Sequence, residues 1–241
     1  MATRLWWVRP ETFLASPAML ALLSDQERAQ QQRFLPPAKR QEYLVTRILV
    51  RCVLGEALGV APQALQFVSN EWGRPVVASG LMPEKRSSPL YFNVSHTEGL
   101  VVCLVSTEGE VGVDTESFAR GHDLLALAPD VFSAKELSDL AALPLKDQPQ
   151  RAVVLWTLKE SYIKARGMGL SIQLDKFSFR FESGGVRLEV EPELGNDGER
   201  WQFQWEIFGT HCISTAIALP EGVAIENLAF CPGDFGFSRE Q

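Results

Sequence analysis

Glu108-Gly109-Glu110-Val111-Gly112-Val113-Asp114-Thr115-Glu116 lies near the middle of the 241-residue chain, and its reading organises the rest. Gly109 between two acids marks a turn, and the residues after it alternate as a strand does. Alternate strand residues share a face, so Val111, Val113 and Thr115 point toward a core while Asp114 and Glu116 point together the other way. Two carboxylates on one side of a strand repel unless a cation or a proton sits between them. A divalent, oxygen-preferring ion such as Mg²⁺ answers that repulsion; a solvent-facing acidic edge is the alternative.

The turn at Glu108 to Glu110 also divides the chain into two halves, 1–109 and 110–241. In the first, residues 17–34 have helical spacing, with Ser24 and Glu27 forming a capping-box signature. A stronger helix runs from Ala38 to Leu58, where Tyr43, Leu44, Ile48, Val50, Leu54 and Leu58 recur at helical spacing and Gly59 marks the stop. Short extended stretches follow: Gln66 to Ser69, the turn Asn70-Glu71-Trp72-Gly73-Arg74-Pro75, a Pro/Ser-rich loop over 79–89, Tyr91 to Ser95 and Leu100 to Ser106. In the second half the central strand leads to helices near Ser133 to Leu140, capped by Ser133 with Glu136, and Gln150 to Arg166. Strands then follow at Phe177 to Glu182, Val186 to Val190, Trp201 to Phe208 and Cys212 to Leu219. Helices leading into strands occur once in each half, which predicts an α+β (α/β) protein of two units.

Composition bounds the function. The chain is 46% hydrophobic and 22% charged, as an ordinary globular protein is. A net charge of −7 argues against a general nucleic-acid binder, which needs a basic face for phosphates. Residues 1–51 nevertheless carry eight Lys/Arg against four acids, so a cationic first part is joined to an acidic remainder. That asymmetry suits a small polyanion gripped from one side, with carboxylates acting from the other. Cys52, Cys103, Cys212 and Cys231 lie far apart and read as reduced core residues of a cytoplasmic protein. No apolar run reaches the ~20 residues a membrane span requires.

Two more constellations carry chemistry. Trp156, Glu160 and Lys164 are spaced i, i+4, i+8 on one helix face, offering a third carboxylate and a mobile cation, or else an ordinary surface pair. Gly167 and Gly169 end that helix. Asn93, Ser95 and His96 collect at a strand end beside a turn, a reasonable phosphate cradle. No Gly-x-Ser-x-Gly elbow surrounds Ser95, and His96, His122 and His211 are too few for a His-rich zinc site.

Asn93-Val-Ser95-His96, Gly112-Val-Asp114-Thr-Glu116, Phe132-Ser133-x-x-Glu136 and Trp156-x-x-Lys159-Glu160-Ser-x-x-Lys164-x-x-Gly167-x-Gly169-Leu170, in that order, resemble the ordered motifs of the 4'-phosphopantetheinyl transferases, in the two-half type that activates surfactin synthetase. Trp72-Gly73-Arg74-Pro75 is similar to the family's aromatic-Gly-Lys-Pro turn, with Arg for Lys. The resemblance spans roughly residues 70–172. It implies two similar, pseudo-symmetric halves in a monomer, with coenzyme A and Mg²⁺ between them. It also implies transfer of the phosphopantetheine arm to a serine of an acyl, peptidyl or aryl carrier protein, releasing adenosine 3',5'-bisphosphate.

By the same resemblance Asp114, Glu116 and Glu160 hold the Mg²⁺, Glu160 or Glu116 acts as base, and Lys164 steadies the pyrophosphate. Asn93, Ser95 and His96 line the phosphate pocket, while Gly73 and Arg74 contact the nucleotide end. Arg28 is the choice for the 3'-phosphate, with Arg33 and Arg40 close behind. Residues 170–181, with Lys176 and Arg180, are where it places the carrier. Two other functions stay open on the residues: a coenzyme A-binding regulatory protein without transfer activity, and a metal-dependent phosphohydrolase.

Overall fold

The computed structural model describes residues 3–78, 89–168, 172–191, 200–218 and 224–237. Residues 79–88 of the loop expected over 79–89, together with Gly169 and Leu170, lie outside the described residues.

Three helices in the first half are α1 (Pro17–Leu20), α2 (Asp25–Arg33) and α3 (Pro37–Leu58). Two helices fall within the helically spaced stretch 17–34, and the second starts at the capping box, where the Ser24 hydroxyl accepts from Glu27 N and the Glu27 carboxylate accepts from Ser24 N. Gly59 ends α3 at φ 68°, a left-handed conformation that side chains disfavour. The strands are β1 (Thr3–Val8), the hairpin β2 (Phe67–Ser69) and β3 (Pro75–Val77), and the antiparallel pair β4 (Tyr91–Thr97) and β5 (Leu100–Ser106).

The second half runs β6 (Val111–Ser117), α4 (Gly121–Val131), α5 (Ala134–Ala141), α6 (Gln148–Arg166), β7 (Phe177–Glu182), β8 (Gly185–Val190), β9 (Trp201–Phe208), β10 (His211–Ala218) and β11 (Ile225–Ala229). Its sheet, ordered β6-β10-β9-β8-β7, is antiparallel throughout. The other large sheet is β11-β1-β5-β4, in which the last strand crosses back to pair in parallel with the first. Residues 225–229 of the second half thus complete the sheet of the first, and Phe230 joins its core.

Burial explains the layering. Trp6, Val8, Phe92, Val101, Cys103 and Val105 pack against Leu44, Ile48, Cys52 and other residues of α3. Cys212 and Ala216 pack on Leu158, Tyr162 and other residues of the second-half helices. A third cluster of Leu5, Leu100, Val102, Leu104, Val111, Val113, Ile213 and Ile217 joins the two sheets, so Val111 and Val113 face a core as their alternation predicts. Of the four free cysteines Cys52, Cys103 and Cys212 are buried, their thiols pushed up by burial to about 12, 12 and 11. Cys231 differs from the expectation: it is exposed, because the chain has left β11 for a short surface helical turn.

The two halves repeat one local design. Glu27, capped into α2, takes Arg47 Nε at 2.6 Å and Arg51 Nε at 2.9 Å, and Arg51 Nη1 donates on to Pro62 O and Leu65 O. Glu136, capped into α5 by Ser133, takes Lys159 Nζ at 2.8 Å, and that ammonium donates on to Leu174 O and Phe177 O. Each trio locks a short capped helix and a following hairpin strand or loop onto the long helix. Lys159 is fully buried, and burial pushes its ammonium below the usual lysine range despite Glu136.

Candidate active site

The site forms where the edge strands of the two sheets, β4 and β6, meet beside the last turns of α6. Gly112 sets the spacing: a Cβ there would fall 2.0 Å from Ser161 O and 2.5 Å from Ala165 N. Only glycine lets β6 lie this close to α6, and Gly112, Asp114 and Glu116 share the strand face that α6 covers. The carboxylates are thereby delivered to the helix that carries Glu160 and Lys164.

Three side chains of β4 reach across to β6. Asn93 Oδ1 accepts from Val113 N at 2.9 Å, Ser95 Oγ donates to Asp114 Oδ1 at 2.7 Å, and Thr97 Oγ1 donates to Glu116 Oε1 at 2.7 Å. Lys164 Nζ completes the first group, 2.6 Å from Asp114 Oδ1 and 2.8 Å from Ser95 Oγ. Arg120 Nη1 completes the second, 2.7 Å from Glu116 Oε2, with Ser117 N 2.9 Å from Glu116 Oε1. Glu160 stands differently. Burial pushes its carboxyl above the usual range, the charge of Asp114 pushes it further, and Lys164 only partly offsets both.

Among the described residues no three of His, Cys, Asp and Glu gather closely enough to hold an ion in this arrangement, in which Lys164 pairs with Asp114 and Arg120 with Glu116. The donor chemistry nevertheless fits a divalent ion: Asp114 and Glu160 repel each other, and all three acids offer the oxygens such an ion prefers.

The phosphate-pocket candidates separate. Ser95 belongs to the carboxylate group, whereas the Asn93 carbonyl oxygen is occupied by the strand seam. His96, next along β4, points the opposite way as strand alternation requires, and its Nδ1 lies 3.0 Å from Glu42 Oε1 on α3. Lys39 Nζ is 3.0 Å from both oxygens of the same Glu42. Neither Glu42 nor Lys39 was legible as a site residue, since both sit in an ordinary charged helix start.

Arg74 and Arg28 both have partners within the chain. Arg74 Nη1 donates to Lys164 O and Ala165 O at 2.8 and 2.9 Å, and Nη2 to Phe92 O and Val111 O at 2.9 and 3.0 Å. Its fork is spent on the carbonyls of α6, β4 and β6, a staple that a lysine point charge could not reproduce. Asn70 shapes the turn that presents it, its Oδ1 accepting from Trp72 N and Arg74 N, with Gly73 exposed at φ 84° and Asn70 Nδ2 on Gly167 O. Arg28 donates to Leu23 O and to Asp25 Oδ1 at the start of its own helix, so it is tied locally. Arg40 Nε likewise donates to Phe34 O, and Arg33 pairs with Gln30.

A cavity of about 810 Å³ lies elsewhere, lined by Trp7, Phe13, Met19, Phe230 and Phe237, with Arg9 as the single charged side chain among its described lining residues. It lacks the groups for acid-base work. No described helix is long and apolar enough to cross a membrane.

Comparison with known proteins finds matches in both halves of the chain. Residues 6–108 match the family model "4'-phosphopantetheinyl transferase, N-terminal", and residues 110–216 match that of the "4'-phosphopantetheinyl transferase superfamily". The chain is similar to a 4'-phosphopantetheinyl transferase of Bacillus subtilis, 32% identical over 183 residues, which is 76% of this chain and 77% of that protein. It is 30% identical, over the same shares of each chain, to 4'-phosphopantetheinyl transferase Sfp of Bacillus subtilis strain 168. It is also 33% identical to 4'-phosphopantetheinyl transferase HetI of Nostoc over 163 residues, 68% of this chain and 66% of that one. With both halves matched and relatives covered over most of their length, the chain belongs to the 4'-phosphopantetheinyl transferase superfamily and is an enzyme of that class.

Proposed function

We propose that this transferase uses coenzyme A as donor and Mg²⁺ as cofactor, moving the phosphopantetheine arm to a serine hydroxyl of an acyl, peptidyl or aryl carrier protein and releasing adenosine 3',5'-bisphosphate. The seam that brings Asp114 and Glu116 of β6 to Ser95 of β4 and to Lys164 of α6 carries this reading. The nucleophile comes from the carrier, in keeping with the lack of a nucleophile-base pair among the described seam residues.

Asp114, Glu116 and Glu160 would hold the ion, which when bound supplies Lewis acidity and a template for the pyrophosphate. Lys164 then serves the phosphate. Its flexible point charge, now on Asp114 and Ser95, suits negative charge developing on the departing bisphosphate. Glu160, whose carboxyl is already pushed upward, is a stronger base toward the serine proton than an ordinary carboxylate, and Glu116 is the other candidate. Arg74 holds the rim by fixing the end of α6, and Gly73 beside it in the turn would meet the nucleotide end. Lys176 and Arg180, at the surface beside Glu191, Glu182 and Glu189, offer the carrier a local basic contact. The chain works as a monomer in the cytoplasm, its halves related by an approximate internal two-fold.

Chromatography of the nucleotide products tests this. Adenosine 3',5'-bisphosphate is expected only when coenzyme A, Mg²⁺ and an apo carrier are all present. Release without carrier would make the protein a phosphohydrolase, and binding of coenzyme A without release on any carrier would make it regulatory.

A further inference from the structure

The strands β4 and β6 are edge strands of different sheets, so side chains rather than a backbone ladder close the seam on which Ser95 meets Asp114 and Thr97 meets Glu116. At one end Arg74 spans it, donating to Phe92 O on β4 and to Val111 O on β6. At the other end stands His211, the first residue of β10, which is 4% exposed. It is the register partner of Ser117 at the end of β6, and its Nε2 lies 2.8 Å from Glu98 O in the turn that follows β4.

A carbonyl only accepts, so Nε2 carries the proton, and in the neutral ring Nδ1 accepts from Thr210 Oγ1 at 3.2 Å. Both nitrogens are thereby engaged and the ring is fixed. It also lies against the turn: a Cβ on Gly99, whose φ is 85°, would fall 3.5 Å from its Cε1. Thr97 is the last residue before that turn, and its hydroxyl donates to Glu116 Oε1, which also accepts from Ser117 N at 2.9 Å. Through Glu98 on one side and Ser117 on the other, His211 ties together the two donors of Oε1. The partner of Oε2, Arg120, is about half exposed at 49% and is free to exchange with water.

We propose that His211 is a positioning residue for Glu116: by pinning the turn after β4 to the end of β10 it keeps Thr97 Oγ1 on Oε1 and so fixes the direction of the carboxylate, a role that rests on the Mg²⁺ reading above. Ligating carboxylates are held by outer hydrogen-bond partners of this kind, whose loss lowers metal affinity by roughly 10–100-fold.

Calorimetric titration of Mg²⁺ into the coenzyme A-loaded protein tests it. His211→Asn keeps a polar group near Thr210 but is too short for Glu98 O, and Thr97→Val removes one hydroxyl at a part-exposed position. Each is expected to weaken Mg²⁺ binding roughly tenfold. His211→Gln, long enough to return an N–H to Glu98 O, should recover most of the loss, which a change of packing alone would not allow. Because both residues act through one contact, the double variant should bind Mg²⁺ about as weakly as either single variant, where independent effects would multiply to roughly a hundredfold. In metal-free protein the Ser117 amide signal should shift alike in His211→Asn and Thr97→Val. Multiplying losses, equal losses in His211→Gln and His211→Asn, or unchanged Mg²⁺ affinity in Thr97→Val overturns the proposal and leaves the functional reading standing; the last holds even where His211→Asn does not fold. A wild type that takes up coenzyme A but no Mg²⁺ overturns the metal reading, and the role of His211 with it.

Discussion

Lys164 Nζ stands 2.6 Å from Asp114 Oδ1, so the last turn of α6 is tied by one ammonium to the strand that carries the acidic pair. On the proposed function the pair is a resting arrangement, from which the ammonium would move to the substrate phosphate during transfer. Lys164→Ala should lower kcat by roughly 10²–10³-fold, the usual loss when one donor to developing charge is removed, with little change in carrier KM. Steady-state kinetics with the carrier varied checks this; a defect confined to carrier KM contradicts the role. Asp114→Ala should abolish transfer while the thermal melt stays close to wild type, since Lys164 is part-exposed and is not stranded in a dry interior.

Gly112 predicts a coupled loss of stability and activity. The Ser161 carbonyl and Ala165 amide that a Cβ would strike are backbone atoms of α6 and cannot rotate away. Gly112→Ala should cost about 1–3 kcal/mol or more by overpacking, and should move β6 relative to Glu160 and Lys164. Urea unfolding and transfer rate, measured together, should fall together; retained activity in a destabilised protein would separate the strand spacing from the chemistry.

Glu136 belongs to the scaffold, although it stands within one of the ordered motifs. It caps α5, accepts from Phe179 N at 2.9 Å and neutralises the fully buried Lys159. Glu136→Gln leaves that ammonium with carbonyls alone, at an expected cost of about 3–5 kcal/mol. Denaturant titration measures it, and a change near zero would show that Lys159 is buried neutral.

Glu27 gives the acid limb of stability. Burial raises its carboxyl, but Arg47, the Ser24 amide and the Arg51 and Arg47 hydrogen bonds outweigh burial and leave it below the usual 4.5. A carboxyl lower in the folded than in the unfolded chain contributes stability that is full above the unfolded value and is lost as pH falls through the folded one. Glu27→Gln should therefore be less stable than wild type at pH 7, and the gap should narrow below about pH 4.5. Melting curves across that range check it; a gap independent of pH would mean the carboxylate charge contributes nothing.

Local signals were legible and distant ones were not. Ser24 with Glu27 and Ser133 with Glu136 are capping boxes where their spacing places them, and the apolar period of α3 ends at Gly59 as read. The strand β11 escaped because Ile225–Ala229 has little alternation and its partner β1 lies at the other end of the chain. Helix α4 was hidden by Pro129, which reads as a stop but sits inside its last turn. Arg74 is a charge whose hydrogen-bond partners are backbone carbonyls, and no side-chain pattern announces a carbonyl. That Asp114 shares a face with Glu116, and Glu160 with Lys164, was legible from the strand and helix periods; the pairing of Glu42 was not, because His96 reaches it from a strand far along the chain.

The central claim is that Asp114, Glu116, Glu160 and Lys164 serve transfer to a carrier serine. Intact-mass spectrometry of an apo carrier incubated with this protein, coenzyme A and Mg²⁺ tests it most directly. The account predicts a gain equal to one phosphopantetheine, lost when the acceptor serine is replaced by alanine or when Asp114→Ala is used. No gain on carriers from fatty-acid, polyketide and nonribosomal-peptide assembly, with coenzyme A demonstrably bound, would contradict it.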